Sequence, residues 1–562
     1  MIRLRTFLAA LFSASACLAA ASPAHSEPHA MSGALATIAE WAQGARPFAG
    51  LGNFHRQAST KSAAAQEYFD QGMRFLWAFN HDESTRSFAR ATQLDPQCAI
   101  CYWGVSLTVG PNYNLPKMAE PRAKVAWEAL ERAQEHQAQA SPVERALITA
   151  LAQRYQGPQA LDPAGAAPVL TAYAEAMKGV ARQFPEDLDV QVLFAEAMMN
   201  VNAWKLWSLD GTAAPRTDEI VATLEAVLAK DLQHPGANHY YIHAMEASPH
   251  PNKALGAALR LATLMPAAGH MRHMPAHIFE RVGQYAAASA ANRDGVAADL
   301  AYYALTRPPD YYAMYTAHNY QFLALSAAME GRRAEAIDAA RKSKKLLPDA
   351  VLASMPGADW YVGELYTAMV RFGMWDDILK EPAPDKKLTG LFGGYLYAQA
   401  TALAAKNRVA EAKARLAEVE KLTEALDAAA PAGLNAAKDV FLLAISVAKA
   451  RIAIAQNDRD EAIGLLREAV GKEDRLAYDE PADWFVPVRH VLGAVLLDAG
   501  KPQEAEAVYR EDLARHPANG WALFGLARAL AAQKRSTEAT TAQNQFATAW
   551  KRADITLRAS AF

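Results

Sequence analysis

The stretch that decides the fold runs from residue 68 to residue 96 and reads YFDQGMRFLWAFNHDESTRSFARATQLDP. Within it a small residue, Gly72, is followed by a large one, Phe88, and the stretch closes on Pro96. This order is expected of two helices that pack closely and end at a turn. Near the other end of the chain it returns as Gly493, Tyr509 and Pro517, and again from Trp521 to Gly525.

These residues fit the tetratricopeptide repeat, a helical hairpin of roughly 34 residues. Glycine lies where the two helices of a hairpin approach, and the aromatic residue fills the space between them. We therefore predict an all-α fold, a solenoid of tetratricopeptide-like helical hairpins. Weaker units end at Pro348 and run from Ala448 to Val470, and the repeat is least regular between residues 120 and 310.

The repeat pattern predicts how the chain is divided. The expected segments are a signal peptide (1–26), an N-terminal extension (27–60), N-terminal tetratricopeptide units (61–118), divergent helical repeats that carry a histidine-rich site (119–345), helical repeats (346–440), C-terminal tetratricopeptide units (441–550) and a tail (551–562).

The first residues predict export. Arg3 and Arg5 precede an apolar stretch from Thr6 to Ala21, and small residues follow at which a signal peptide is cleaved. The residues before Cys17 lack the leucine of a lipid-attachment motif, so we expect a periplasmic or secreted protein without a lipid anchor. No later stretch reaches the roughly 20 apolar residues of a transmembrane segment.

The charge balance is nearly even. The chain has 57 basic and 60 acidic residues, a formal charge of −3, which becomes −5 once Arg3 and Arg5 are removed with the signal peptide. We therefore expect no nucleic-acid partner and no anionic membrane surface as a partner. The absence of a glycine-rich phosphate loop and of a GxSxG motif argues against nucleotide-dependent or α/β-hydrolase chemistry.

Eight of the fifteen histidines lie between residues 234 and 318, and their spacing indicates a metal site. His239 and His243 are four residues apart, which places them on one face of a helix, with Glu246 one turn further. Such a pair is a recurrent way for a helix to hold a transition metal, although the HExxH zinc motif itself is absent. Glu246 has three candidate roles: a third ligand, a partner that orients an imidazole, or a catalytic base.

A second run of histidines follows at His270, His273 and His277. Because proline is best tolerated in the first helical turn, Pro275 predicts a helix that begins near residues 273–274, with His270 on the preceding loop. His318 lies near the start of a later helix. The predicted metal ligands are therefore His239, His243, His270, His273, His277 and His318.

The residue types favour copper. Imidazole suits copper, zinc and iron alike, and the thioethers of Met245, Met271 and Met274 lie between the histidines, where they favour Cu(I). Zinc and iron are the alternatives, since methionine is also a common core residue. Six histidines in two groups would also suit a pair of three-histidine sites, as in binuclear copper proteins.

The sequence thus predicts an exported metal protein, either a metalloenzyme with oxidoreductase chemistry ahead of hydrolysis and Glu246 as its catalytic residue, or a metal-handling protein. The alternative is a non-catalytic repeat scaffold whose concave surface binds a small molecule, a peptide or a partner protein. In that case the histidines form a structural polar network. His234 and His250 each precede a proline at a turn and are expected to be structural.

Two further features carry chemistry. Cys98 and Cys101 form a CxxC motif directly after a turn, and in an oxidising compartment a local disulfide is expected, with a redox or metal-binding role as the alternative. Acidic and aromatic residues also cluster at 359–361 and 478–484. The second cluster precedes a helix that its acids are expected to cap, or it faces the concave surface.

Several of these segments together resemble a group of large exported bacterial tetratricopeptide-repeat proteins. The resemblance covers most of residues 60 to 530 and lies in Phe79-Asn-His-Asp-Glu, Cys98-Ala-Ile-Cys-Tyr-Trp-Gly, Gly110-Pro-Asn, His239-x3-His-Ala-x-Glu-Ala-Ser-Pro-His-Pro, His273-Met-Pro-Ala-His-Ile and Asn519-Gly-Trp-x-Leu-x-Gly. It implies the helical-repeat fold and marks the histidine segments as a signature of the group.

Overall fold

A computed structural model describes residues 35–306, 312–355 and 357–562, and the predicted signal peptide lies outside these ranges. In chain order the α-helices of the described residues are α1 (Ile38–Gln43), α2 (Ala63–Trp77), α3 (His81–Leu94), α4 (Ala99–Val109), α5 (Glu120–His136), α6 (Pro142–Leu151), α7 (Pro163–Gln183), α8 (Leu188–Val201), α9 (Thr217–Lys230), α10 (Pro235–Met245), α11 (Leu255–Leu264), α12 (Gly269–His273), α13 (Pro275–Arg281), α14 (Tyr285–Leu305), α15 (Tyr312–Met329), α16 (Arg333–Leu346), α17 (Asp349–Ser354), α18 (Ala358–Val362), α19 (Glu364–Arg371), α20 (Trp375–Ile378), α21 (Thr389–Ala405), α22 (Val409–Ala425), α23 (Ala437–Ala455), α24 (Arg459–Glu473), α25 (Val488–Asp498), α26 (Pro502–Arg515), α27 (Gly520–Ala532) and α28 (Ser536–Ala549).

Other regular elements are short. Single 3₁₀ turns occur at Gln137–Gln139, Ala152–Arg154 and Pro251–Ala254. The strands β1 (Pro431–Ala432) and β2 (Asn435–Ala436) form an antiparallel hairpin between α22 and α23, in which Pro431 is opposite Ala436. No helix of the described residues is long and apolar enough to cross a membrane.

Consecutive helices pack in pairs, as the repeat pattern predicts. In the pair α2–α3, a Cβ atom added at Gly72 would lie 2.7 Å from the Phe88 ring, so only glycine permits this approach. At the other end of the chain, Cβ atoms at Gly493 and Gly525 would lie 2.3 Å and 2.1 Å from Tyr509. The predicted pairing of glycine with an aromatic residue is therefore confirmed, and the fold is an all-α tetratricopeptide-like solenoid.

Two hydrophobic cores fill the solenoid. The first is formed mainly by residues 38–291, and the second by residues 296–557. Helices α14 and α15 lie at the boundary, since Ala288 belongs to the first core whereas Val296 and Ala317 belong to the second. The histidine-rich segments lie at this boundary, between the two halves of the chain.

The C-terminal repeats pack back onto the middle of the chain. The Trp521 indole donates a hydrogen bond to the Ala328 carbonyl at the end of α15, 2.8 Å away. The Asp554 carboxylate accepts hydrogen bonds from the first backbone amides of α16, those of Arg333 and Ala334, at 2.7 and 2.8 Å. The C-terminal end of the solenoid is therefore hydrogen-bonded to α15 and α16, in the middle of the chain.

Two of the helices that carry the histidines, α12 and α13, have only five and seven residues. Pro275 is the first residue of α13, where its missing N–H leaves no intrahelical hydrogen bond unmade, as predicted. The prediction that His270 lies on a loop was wrong. His270 and His273 both lie in α12, a separate helix of five residues that ends just before Met274.

Candidate metal centre

The six predicted ligands converge as two groups of three. One ring nitrogen from each of His239, His243 and His270 lies within 4.8 Å of the others, and we call these residues the first histidine group. Helix α10 supplies His239 and His243, and α12 supplies His270. The Nε2 atoms of His239 and His270 are 3.0 Å apart. Two nitrogens bound to one metal ion at about 2.0–2.1 Å lie about 3–4 Å apart, so this spacing suits a metal.

The second histidine group consists of His273, His277 and His318, whose ligand atoms again lie within 4.8 Å of one another. They come from α12, α13 and α15 respectively. The Nε2 atoms of His273 and His277 are 2.7 Å apart. Because α12 contributes one residue to each group, the groups are adjacent, and the rings of His243 and His277 are 6.0 Å apart between centroids.

Hydrogen bonds on the outer sides of two imidazole rings determine which ring nitrogen can bind a metal. His239 Nδ1 lies 2.6 Å from the Trp77 carbonyl oxygen, and His273 Nδ1 lies 2.6 Å from Asn292 Oδ1. Since the Asn292 amide nitrogen donates to a backbone carbonyl, its oxygen is the acceptor. Both Nδ1 atoms therefore carry the proton and both Nε2 atoms expose a lone pair, which is how proteins prepare histidines as metal ligands.

Opposed lone pairs at these distances repel unless a cation lies between them. In the metal-free protein a proton can do this, from His277 to His273 and from His270 to His239. That arrangement still leaves His243 Nε2 and His270 Nδ1 buried with no hydrogen-bond partner. A metal ion at the first group would bind His243 Nε2 as well, so metal explains one unpaired atom that protons alone do not.

Each histidine group packs around one phenylalanine. The Phe79 ring contacts all three rings of the first group, at centroid distances of 4.5, 5.6 and 5.7 Å. The Phe322 ring does the same for the second group, at 5.0, 4.6 and 4.9 Å. Phe79 has φ of 53°, a left-handed conformation that costs about 1–3 kcal/mol outside glycine. The fold therefore holds a strained residue where it fixes the imidazoles.

Buried carboxylates join the two groups. Glu246 Oε1 accepts a hydrogen bond from His243 Nδ1 at 2.9 Å, and Glu246 Oε2 lies 2.8 Å from His277 Nδ1. Glu480 also contacts His277 Nδ1. Glu246 therefore serves one imidazole of each group, in the orienting position that was one of its predicted roles. Glu480, from the loop before α25, was not predicted as part of the site.

Burial and charge set the protonation states. Burial lowers the pKa of His239 and of His318 to about 3 and holds those of His243, His270 and His273 well below the ordinary value. Neutral imidazole is the form that binds metals. His277 is the exception: burial opposes its charge, but Glu480 and Glu246 raise its pKa to about 10.

The three residues Glu246, His277 and Glu480 also bring ligand atoms within 4.8 Å of one another. Burial and Glu480 raise the pKa of Glu246, whereas His277 keeps the pKa of Glu480 low despite its burial. A proton on His277 Nδ1 would satisfy this set, since carboxylate oxygens of both Glu246 and Glu480 lie beside that atom. The carboxylates therefore act as partners of the His277 ring rather than as a third metal site.

The remaining predicted residues lie elsewhere. His234 caps α10 by accepting from the Ala237 amide and contacts Asp189 through its other nitrogen, and His250 is exposed. Both stand apart from the histidine groups, as expected. Cys98 and Cys101 form the predicted disulfide, buried at the start of α4. The prediction that the acids of 478–484 cap α25 was wrong. The N-cap residue of α25 is Pro487, which makes no side-chain capping hydrogen bond.

A cavity of about 340 Å³ reaches the first histidine group from one side. His270 is one of its lining residues, together with Phe48, Phe75, Tyr302 and Tyr312. Pockets that bind small organic molecules are commonly of this size and character, largely apolar with a few polar groups.

The comparisons with known proteins concern the repeat. The tetratricopeptide repeat family matches residues 496–544. Among solved structures, the human IFIT1 dimer with m7Gppp-AAAA is 12% identical, with 87% of this chain and 90% of that chain covered and a TM-score of 0.32. The APC/C hetero-tetramer Cut9-Hcn1 is 14% identical, with 86% and 79% covered and a TM-score of 0.32. No curated protein matches the chain significantly.

Proposed function

We propose that the protein is an exported metalloprotein whose two histidine groups bind a pair of adjacent transition-metal ions, with copper favoured over zinc and iron. The observation that carries this proposal is the double three-histidine arrangement, with Nδ1 anchored on the outside at His239 and His273 and Nε2 facing inward. Three imidazoles per metal leave coordination positions for a small molecule.

We further propose that the centre is catalytic, with oxidoreductase chemistry ahead of hydrolysis. A structural metal site is closed, whereas the aromatic cavity leads to His270 and so gives a substrate access to the first group. When bound, adjacent copper ions would supply electron transfer to or from a substrate and dioxygen. The protein itself would orient the imidazoles through Trp77, Asn292 and Glu246, and exclude bulk water by burial.

Metal analysis of the mature protein, purified without a histidine tag, tests the proposal. We expect about two equivalents of a transition metal after reconstitution, one for each three-histidine group. His239→Ala/His243→Ala should retain about one equivalent, at the second group, and His273→Ala/His277→Ala should retain about one at the first. Less than about 0.2 equivalents in the reconstituted native protein would refute the metal centre and leave the scaffold as the function.

A catalytic role needs a separate measurement. We expect the metal-loaded protein to consume oxygen with small phenols or other reductants that fit the cavity beside His270, and the metal-free protein not to do so. Stoichiometric metal without turnover of any reductant would instead favour metal handling.

A further inference from the structure

The two acidic and aromatic segments noticed in the sequence meet in one cavity. Trp360 and Tyr361 of α18 line one side, and Asp483 and Trp484 of the loop before α25 line the other. Glu364, at the start of α19, completes the wall. The cavity holds about 50 Å³, space for about three or four water-sized groups.

Two polar groups on this wall lack partners. Both carboxyl oxygens of Glu364 and the indole nitrogen of Trp484 are buried without a hydrogen bond. Trp484 is only 7% exposed. Such groups are rare in folded proteins because an unmade hydrogen bond is costly, more so for a charged group, so a molecule that satisfies them gains affinity.

The charged residues that line the cavity are all acidic. Among the described residues that line the cavity, Glu364 and Asp483 are acidic, and none is lysine, arginine or histidine. Asp483 already accepts a hydrogen bond from Asn435, whereas Glu364 has no such donor. Burial and the nearby Glu280 raise the pKa of Glu364, as expected for a carboxyl that no cation accompanies. The cavity therefore has a buried carboxyl and no cationic residue among its described lining residues, and an ammonium group would supply both the positive charge and the hydrogen-bond donors that Glu364 lacks.

We propose that this cavity binds a small organic amine, with its ammonium group on Glu364 and a neighbouring oxygen atom accepting from the Trp484 indole. The aromatic walls support an ammonium group, because the faces of aromatic rings attract cations. Phe441 lies against Trp360 with 4.9 Å between ring centroids, and Tyr397 against Trp484 with 5.3 Å, so the cavity has aromatic rings on both sides.

The amine site is distinct from the metal centre but adjoins it. Gln321 lines the cavity and follows His318 by one turn of α15. Pro481 also lines the cavity and directly follows Glu480, which contacts His277. The proposal does not depend on metal, and its test is therefore performed on the metal-free protein as well as on the protein as isolated.

Calorimetric titration with three probes of similar size tests the proposal. Ethanolammonium carries both the charge and the oxygen, propylammonium carries the charge alone, and propan-1-ol carries the oxygen alone. We expect ethanolammonium to bind most tightly and propan-1-ol at least about tenfold more weakly, in titrations to about 10 mM. A ranking in which propan-1-ol equals or exceeds both ammonium probes overturns the proposal, whether or not metal is bound.

Two variants locate the site. Glu364→Gln should weaken ethanolammonium at least about tenfold, whereas Glu418→Gln, an exposed change of the same kind on α22, should leave it unchanged. Trp484→Phe should weaken ethanolammonium more than propylammonium, because it removes the indole donor and keeps an aromatic ring on the wall. Ethanolammonium binding that is unaffected by Glu364→Gln would show that the amine binds elsewhere. If Glu364→Gln does not fold, the ranking of the three probes on the native chain decides.

Discussion

Glu246→Gln is expected to weaken metal binding at both histidine groups. The carboxylate of Glu246 accepts from His243 Nδ1 with one oxygen and contacts His277 Nδ1 with the other. Glutamine has nearly the same shape but offers one oxygen and one NH₂ group. One imidazole therefore keeps its acceptor, and the other faces a donor and has to turn or move its proton to Nε2, where a metal would bind.

The magnitude follows from this asymmetry. Loss of a hydrogen-bond partner behind a metal-binding histidine commonly lowers affinity about 10- to 100-fold, or about 1.4–2.7 kcal/mol. We expect the larger loss at the group that faces the NH₂ and the smaller loss at the other. Asn292→Ala should weaken the second group alone, because Asn292 contacts only His273 among the six ligands.

Competition with a chromophoric chelator measures both affinities, since two ions give a two-step titration. Glu128→Gln on the exposed face of α5 is the matched control and should titrate as the native chain does. If Glu246→Gln keeps both affinities within about threefold, the carboxylate does not orient the imidazoles and its proposed role is wrong.

Three further predictions concern pH and stability. Metal affinity at the second group should rise by up to about tenfold per pH unit from about pH 6 to 9, because the metal must displace the proton that His277 retains through its raised pKa. Metal affinity at the first group should change little with pH, because its histidines are already neutral. Calorimetry in buffers of different ionisation enthalpy measures the protons released at each group. Gly493→Ala should cost about 1–3 kcal/mol in chemical denaturation, since its methyl group would meet Tyr509, whereas Gly464→Ala in α24, with open space around it, should be neutral or stabilising. Asp512→Asn should cost about 1.5–3 kcal/mol, because it removes the buried charged acceptor of the His490 ring, whose Nε2 lies 2.8 Å from the carboxylate; an unchanged melting temperature would contradict this.

The fold could be predicted from sequence because its determinants are local. Gly72 and Phe88 belong to one hairpin, and their spacing alone specifies a close helix crossing. The histidine pair His239 and His243 on one helix face could be predicted for the same reason. Pro275 correctly indicated where a helix starts, but it gave no information on the residues before it, so the short helix that carries His270 was missed.

The rest of the site depends on contacts between distant parts of the chain. Glu480 reaches His277 from the C-terminal half, and the Trp77 carbonyl reaches His239 from the N-terminal half. No spacing relates these residues, and a backbone carbonyl has no sequence signature at all. The acidic and aromatic character of 478–484 was the one available signal, and its assignment to a helix cap was the simpler local interpretation.

The return of the C-terminal repeats to α15 and α16 changes how such an array should respond to force and to truncation. In an open solenoid each repeat contacts only its neighbours, so the terminal repeats unfold first and the centre is little affected. Here the Trp521 indole donates a hydrogen bond to the end of α15, the helix that carries His318, and Asp554 accepts one from the start of α16. Removing the last hairpin should therefore destabilise α15 and the histidine groups as well as shorten the protein. The C-terminal end thus stabilises the centre of the chain.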